Sequence, residues 1–403
     1  MSQPLPLQRA KRVALLLGTA AAVGGSVGPI AIGMGGLAGA ALLAPAEQHL
    51  ATVPVTTFVV GSTLASIPAA LLMQRVGRRA GFLTGAFGGM AGAAIAAWAI
   101  LTGSFLLFSL AMAFLGAAAA FGQQYRFAAA DAAEPEFKPR AIAWVLAGGV
   151  VTGVLGPQIA IHGRGLTPDA PYAGPFFVLV GVFLLTAVIL ARLDLPRPAP
   201  AAIGAGQGRP LARIVLQPAF LVAMLIAISS FSLMSLVMTA TPLAMVEHHH
   251  STTDAQLGIQ WHVIAMFGPS FFTGGLIARF GKPLVAGTGL VLIALAAAVG
   301  LSGTELVHFW TALVLLGIGW NFGFVAATAM TSELYRPEEA FRVQAVNEFA
   351  LFGIVAVATF SSGRILTEGG WHTVNLVVYP VVAIALALLV LQTLRDKRSR
   401  AAA

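Results

Sequence analysis

Along this chain apolar residues neither alternate with polar ones nor keep to one stripe of a helix; they run on for long stretches between short polar breaks. A hydrocarbon core about 30 Å thick needs roughly 20 such residues per helix, and only a helix or a closed barrel satisfies its own backbone there. The runs predict spans at 12–40, 50–74, 80–101, 105–130, 140–162 and 173–192, then at 216–245, 255–278, 284–302, 306–331, 343–363 and 373–394. Between the sets, Arg192 to Arg213 carries Pro196, Pro198, Pro200 and a Gly-rich stretch, a polar linker. The expectation is an all-α integral membrane protein with twelve transmembrane helices. It divides into a six-helix bundle at 1–192, a cytoplasmic linker at 193–215, a second six-helix bundle at 216–395 and a cytoplasmic tail at 396–403. The first run, Val13 to Leu43, is too long for the apolar part of a signal peptide and reads as a retained span.

Composition narrows the class. With 58% hydrophobic and 9% charged residues among 403, no water-soluble fold hides the apolar surface. The 45 glycines fall largely inside the apolar runs, as expected where membrane helices pack closely. The absence of cysteine excludes disulfides, thiolate metal sites and catalytic thiols. No nucleophile–base set, phosphate loop or carboxylate dyad is present, so the chain does not read as an enzyme.

The net charge of +8 reports orientation rather than a nucleic-acid partner. Arg9, Lys11, Arg12, Arg75, Arg78, Arg79, Lys138 and Arg140 fall on one side of the spans, as do Arg209, Arg213, Arg279, Lys282, Arg336, Arg342 and Arg395. Only Arg164 and Arg364 fall on the other. The positive-inside rule then puts both termini in the cytoplasm, in a bacterial inner membrane.

The chain repeats itself. Met73-Gln-Arg-Val-Gly-Arg-Arg79 is echoed by Ile277-Ala-Arg-Phe-Gly-Lys-Pro283, 204 residues on, and Leu115-Gly116 and Phe121-Gly122 return as Leu316-Gly317 and Phe322-Gly323, 201 residues on. The first loop resembles the signature of the major facilitator superfamily, Gly-x-x-x-Asp-Arg-x-Gly-Arg-Arg, through Arg75, Gly77, Arg78 and Arg79, with Ala70 and Gln74 in place of the Gly and Asp. The second copy keeps Gly274, Arg279, Gly281 and Lys282, with Ala278 in the acidic place. The resemblance implies two bundles that rock about a midplane substrate site. Without the two acids, weaker electrostatic locks are expected on the cytoplasmic side, with Arg75, Arg78 and Arg279 as gating candidates.

Polar groups inside hydrocarbon are functional candidates by default. Met234-x-x-x-Met238 and His262-x-x-x-Met266 each place two soft donors one helical turn apart, and neutral thioether and imidazole ligands suit Cu(I). Methionine in an apolar helix is equally ordinary packing. With Gln260-Trp261 preceding His262, the two motifs resemble those of the CcoA-type copper importers of bacterial inner membranes. That resemblance implies Met234, Met238, His262 and Met266 as metal ligands and a monomeric importer supplying copper to haem-copper oxidase assembly. It also implies a periplasmic copper donor and a cytoplasmic copper chaperone, with copper as the transported substrate and no tightly bound cofactor. Relatives in the wider family resemble riboflavin importers, so an organic solute such as riboflavin is the alternative cargo, held by Trp320, Asn321, Gln123 and Tyr125. A non-transporting metal-binding sensor or assembly factor is the third reading.

Further candidates lie around this set. His248, His249 and His250 are candidates for metal capture, with His49 and His162 weaker, and Met34 in the Gly-rich first span is an additional thioether. Arg126 and Asp131 are expected to form an ion pair, either purely structural or one that gates the cavity or couples it to protons, and Glu348, beside Asn347, invites the same two readings.

Overall fold

The computed structural model describes residues 5–134, 136–195, 208–336 and 339–401. The prolines expected to mark the linker, Pro196, Pro198 and Pro200, lie outside the described residues, as do the last two residues of the tail. Among the described residues all regular structure is helical.

Among the described residues ten stretches are long and apolar enough to cross a membrane, and an eleventh is a helix pair, Thr252–Phe267 and Ser270–Phe280, bent by 43°. The last stretch, Arg342–Asp396, has 55 residues. A continuous helix of that length would reach about 80 Å, far beyond one hydrocarbon core. It is broken at Gly370, whose φ of 69° and ψ of −179° are not helical, so two spans meet there and the total is twelve. Their order matches the hydropathy reading, with ends displaced by about a turn. Large side chains such as Leu64, Trp98, Leu106, Phe271 and Phe349 point outward, as a lipid-facing surface requires.

The spans group into two six-helix bundles. Among the described residues each cluster of buried apolar side chains draws on one half alone, two of them on residues from Ala10 to Leu193 and two on residues from Ile214 to Leu389. The halves are copies in backbone detail as well as sequence. Gly77 (φ 87°, ψ 156°) and Gly281 (φ 83°, ψ 154°) turn the second span into the third and the eighth into the ninth with one geometry that favours glycine. A Cβ on Gly116 would lie 1.9 Å from the Phe58 carbonyl oxygen, and one on Gly317 2.6 Å from the His262 carbonyl oxygen. The fourth span thus packs on the second as the tenth packs on the eighth.

The ion pairs correct one expectation, the pairing of Asp131 with Arg126. The missing signature acids are supplied from elsewhere: Arg78 pairs with Asp131 at the end of the fourth span, and Lys282 pairs with Glu333 after the tenth. Asp131 therefore partners Arg78 rather than Arg126. A further clamp joins the start of the second half to the eleventh span. There Arg209 donates to both oxygens of Glu339, at 3.0 and 2.7 Å, and to the Leu334 carbonyl at 2.9 Å. Side-chain hydrogen bonds from Arg209, with backbone donation from Arg336, hold the buried Glu339 carboxyl well below the usual carboxylate range.

Each of these ion pairs lies within one half, and among the described residues none bridges the halves. The halves meet instead through neutral hydrogen bonds at the end opposite the basic loops. Gln158 donates to Gln260 at 2.9 Å, Gln256 to the Gly33 carbonyl at 2.8 Å and Thr52 to the Phe360 carbonyl at 3.3 Å.

Candidate solute site

A cavity of about 400 Å³ lies between the bundles, within the 300–1,000 Å³ range of small-molecule sites. Its lining residues sit at mid-span and in the halves of the spans nearer the basic loops, while the neutral hydrogen bonds close the opposite end. Gln123, well inside the fourth span, is exposed because it faces this opening.

The two halves build different walls. In the second half, Phe231, Met234, Ser235 and Met238 follow one another at helical spacing along the seventh span, joined by Met266 and Phe267 from the eighth and Phe352 and Val355 from the eleventh. Phe231 is fixed edge-on by Trp320, Phe324 and Phe352, each ring centroid 5.4 Å away. Ser235 shares a 2.7 Å hydrogen bond with Thr359.

The first half offers room and polarity. Gly24, Gly25, Gly28, Ala118 and Ala119 give a shallow surface, edged by Phe58 and Phe183, while Gln123, Arg126, Thr152 and Thr186 supply the polar groups. The first span breaks here, into Leu7–Gly24 and Val27–Ala41. Thr152 props the break by donating to the Ala21 and Ala22 carbonyls at 3.1 and 3.2 Å. A Cβ at Gly25 would sit 2.7 Å from the Thr152 hydroxyl, so only glycine lets the two spans approach. Interrupted helices near the midplane are where membrane carriers place their substrates.

Arg126 faces the cavity with its Nε buried and unpartnered. Its electrostatic neighbour is Glu348 on the other half, one helical turn before Phe352 on the same face of the eleventh span. The two are not close enough to form an ion pair.

The residues singled out in the sequence distribute unevenly. Met234, Met238 and Met266 reach the cavity wall, but His262 does not. It is fully buried with its Nδ1 2.6 Å from the Leu313 carbonyl of the tenth span, so its ring turns into its own bundle. Met34 is wholly enclosed in the first bundle's core. At the far end His248 bonds the Ala244 carbonyl at 2.8 Å and His250 the Thr304 carbonyl at 2.7 Å, while His249 sits at φ 64°. Among the described residues no three His, Asp or Glu side chains group as a metal site. Arg75 and Arg279 are exposed at the basic end, the latter with its guanidinium 5.1 Å from the Phe280 ring centroid.

Of the residues suggested for an organic solute, Gln123 and Tyr125 line the cavity. Trp320 stands behind Phe231 and Phe267, and Asn321 is spent on Met266, Ser270 and Thr273. The aromatic wall itself, Phe231, Phe267 and Phe352, was not singled out. Its signal was the regular spacing from Phe231 to Met238, read there for its methionines alone.

Comparison with known proteins agrees with this architecture. The profile of the Major Facilitator Superfamily matches residues 14–359. The riboflavin transporter RfnT of Brucella anthropi is 46% identical over 385 residues, covering 95% of this chain and 96% of that one. An uncharacterized MFS-type transporter of Bacillus subtilis, YddS, is 30% identical over 362 residues, covering 83% and 82%. Among solved structures the nucleoside transporter NupG superposes with a TM-score of 0.72 at 11% identity, covering 94% of this chain and 99% of that one, a likeness of fold.

These findings overturn the expectation of copper import, since the relative aligned over almost the whole chain carries riboflavin. The geometry accounts for the error: spacing brought three thioethers to the wall, but His262 is engaged at Leu313, and the methionines lie among phenylalanines as apolar surface. The expected copper donor and copper chaperone fall with that cargo. The twelve spans, the duplicated halves, the profile match and the identity to RfnT agree: the chain is a transporter of the Major Facilitator Superfamily.

Proposed function

We propose that this chain imports riboflavin, or a flat aromatic solute closely like it, across the bacterial cytoplasmic membrane. The observation that carries the reading is the asymmetric cavity, with a fixed aromatic wall on one half facing a shallow polar wall on the other. A fused aromatic ring fits against Phe231, Phe267 and Phe352, where stacking on an aromatic face contributes about 1–3 kcal/mol per ring. Hydroxyl and carbonyl groups meet Gln123, Arg126 and Thr152. The 46% identity to RfnT supports riboflavin in particular.

Transport runs by alternating access. The basic loops face the cytoplasm, so the cavity stands open inward and sealed outward. Arg126 and Glu348 lie on opposite halves near the open mouth; when the halves rock to open outward, the two approach and hold the inner mouth shut. Uptake of labelled riboflavin into proteoliposomes tests the reading. Saturable uptake, competed by unlabelled riboflavin and accelerated by riboflavin loaded inside, is expected. No uptake and no counterflow from correctly folded protein would remove riboflavin as the cargo.

A further inference from the structure

A second concavity lies on the membrane-facing side of the second half, away from the solute cavity. This groove of about 450 Å³ runs between the start of the seventh span and the end of the twelfth. Its walls are Leu221, Val222, Leu225, Ile228, Leu388 and Leu391. From Pro218 to Ile228 it follows ten residues of helix, a rise of about 15 Å, which is half of a hydrocarbon core about 30 Å thick. It therefore has the depth of one leaflet. One end lies at the basic end of the molecule, where Gln392 and Arg395 form the rim, Arg395 one turn beyond Leu391. The sequence adds basic residues at 397, 398 and 400.

We propose that this groove is a binding site for a phospholipid with an anionic head group, one acyl chain lying between the seventh and twelfth spans and the phosphate at Arg395. An acyl chain matches the apolar walls and their depth. A cation one turn past the last apolar residue stands at head-group level, where basic pockets between membrane helices collect anionic lipids. A zwitterionic lipid fits the walls but gains less from the rim.

The test uses the full chain, purified and delipidated in a nonionic detergent, and reads bound lipid by native mass spectrometry and Tm by thermal unfolding. The ligands are dioleoyl-phosphatidylglycerol, dioleoyl-phosphatidylcholine and inorganic phosphate. Phosphatidylglycerol is expected to stay bound at about one per chain, to raise Tm above the phosphatidylcholine value, and to be preferred about fivefold, the contribution of one basic residue near an anionic head group. Arg395→Gln should erase the preference, and Leu391→Trp, filling the groove at an exposed position, should reduce retention of both lipids. Inorganic phosphate should leave Tm unchanged. The proposal is overturned by equal retention of the two lipids, by a preference that survives Arg395→Gln, by retention that survives Leu391→Trp, or by a Tm shift with inorganic phosphate alone.

Discussion

The two halves of this transporter share a backbone plan and differ in what they turn toward the cavity. Phe58 and His262 stand 204 residues apart at equivalent places, each with its carbonyl oxygen against a glycine of the neighbouring span. Phe58 faces the cavity, and His262 turns away to Leu313. In the first half the wall is glycine and alanine with a few polar groups; in the second it is Phe231, Met266, Phe267 and Phe352. Duplication supplied the frame, and divergence made one half a plate and the other a shallow polar cup. A carrier built so can stack an aromatic ring on one side and read its substituents on the other.

The comparison can be broken most severely at the shared frame. Gly116→Leu places atoms where a Cβ alone would be 1.9 Å from backbone, so folded, monodisperse protein should be lost on size-exclusion chromatography. Gly317→Ala, at 2.6 Å from backbone, should be recovered at reduced yield. Next in size is the charge pair divided between the halves. Glu348→Gln or Arg126→Gln should lower net riboflavin uptake at least about tenfold, the effect of about 1.4 kcal/mol, with folded yield retained. Uptake at the original rate in both variants would remove the pair from the transport cycle.

The division into plate and cup is sharpened by Phe352→Ala, which should raise the half-saturating riboflavin concentration about 5–150-fold through lost stacking. Gln256→Leu removes the hydrogen bond to Gly33 that ties the halves at the closed end, a contribution of about 1 kcal/mol. The conformational balance should shift about fivefold toward the outward-open form. Because the chain has no cysteine, a single cysteine replacing Gln123 reports this shift as slower labelling from the basic side by an impermeant thiol reagent. The smallest effect belongs to Glu339, ionised through its bonds to Arg209 and Arg336. Its depressed acidity means that its contribution to stability is present above the ordinary carboxylate pKa and is lost as pH falls through its own lower value. Thermal stability should therefore depend on Glu339 at neutral pH, and Glu339→Gln should lower Tm there while narrowing the difference from the parent in strong acid.

The sequence made the frame legible and the site only in part. Unbroken apolar runs fixed the spans because a bilayer demands their length, and offsets near 204 exposed the duplication. The break between the last two spans was legible at 364–372, which contains Gly370, although glycine is too common in these helices to single out that position. The direction of His262 was hidden for a deeper reason. A helix apolar all round carries no stripe to say which face meets the cavity, so motif spacing placed His262 and Met266 on one face while leaving that face undirected. The acids of Arg78 and Lys282 were missed because Asp131 and Glu333 are distant in sequence and close only after folding.

The three hydrogen bonds that seal the far end contain no charge. In the proposed orientation that end faces away from the cytoplasm, toward the side whose changes of pH and ionic strength the cell does not buffer. Amides and hydroxyls do not titrate across such changes and are weakly screened by ions. The outer closure should therefore hold with similar strength as pH and salt change on that side, leaving the setting of the transport cycle to the buffered interior.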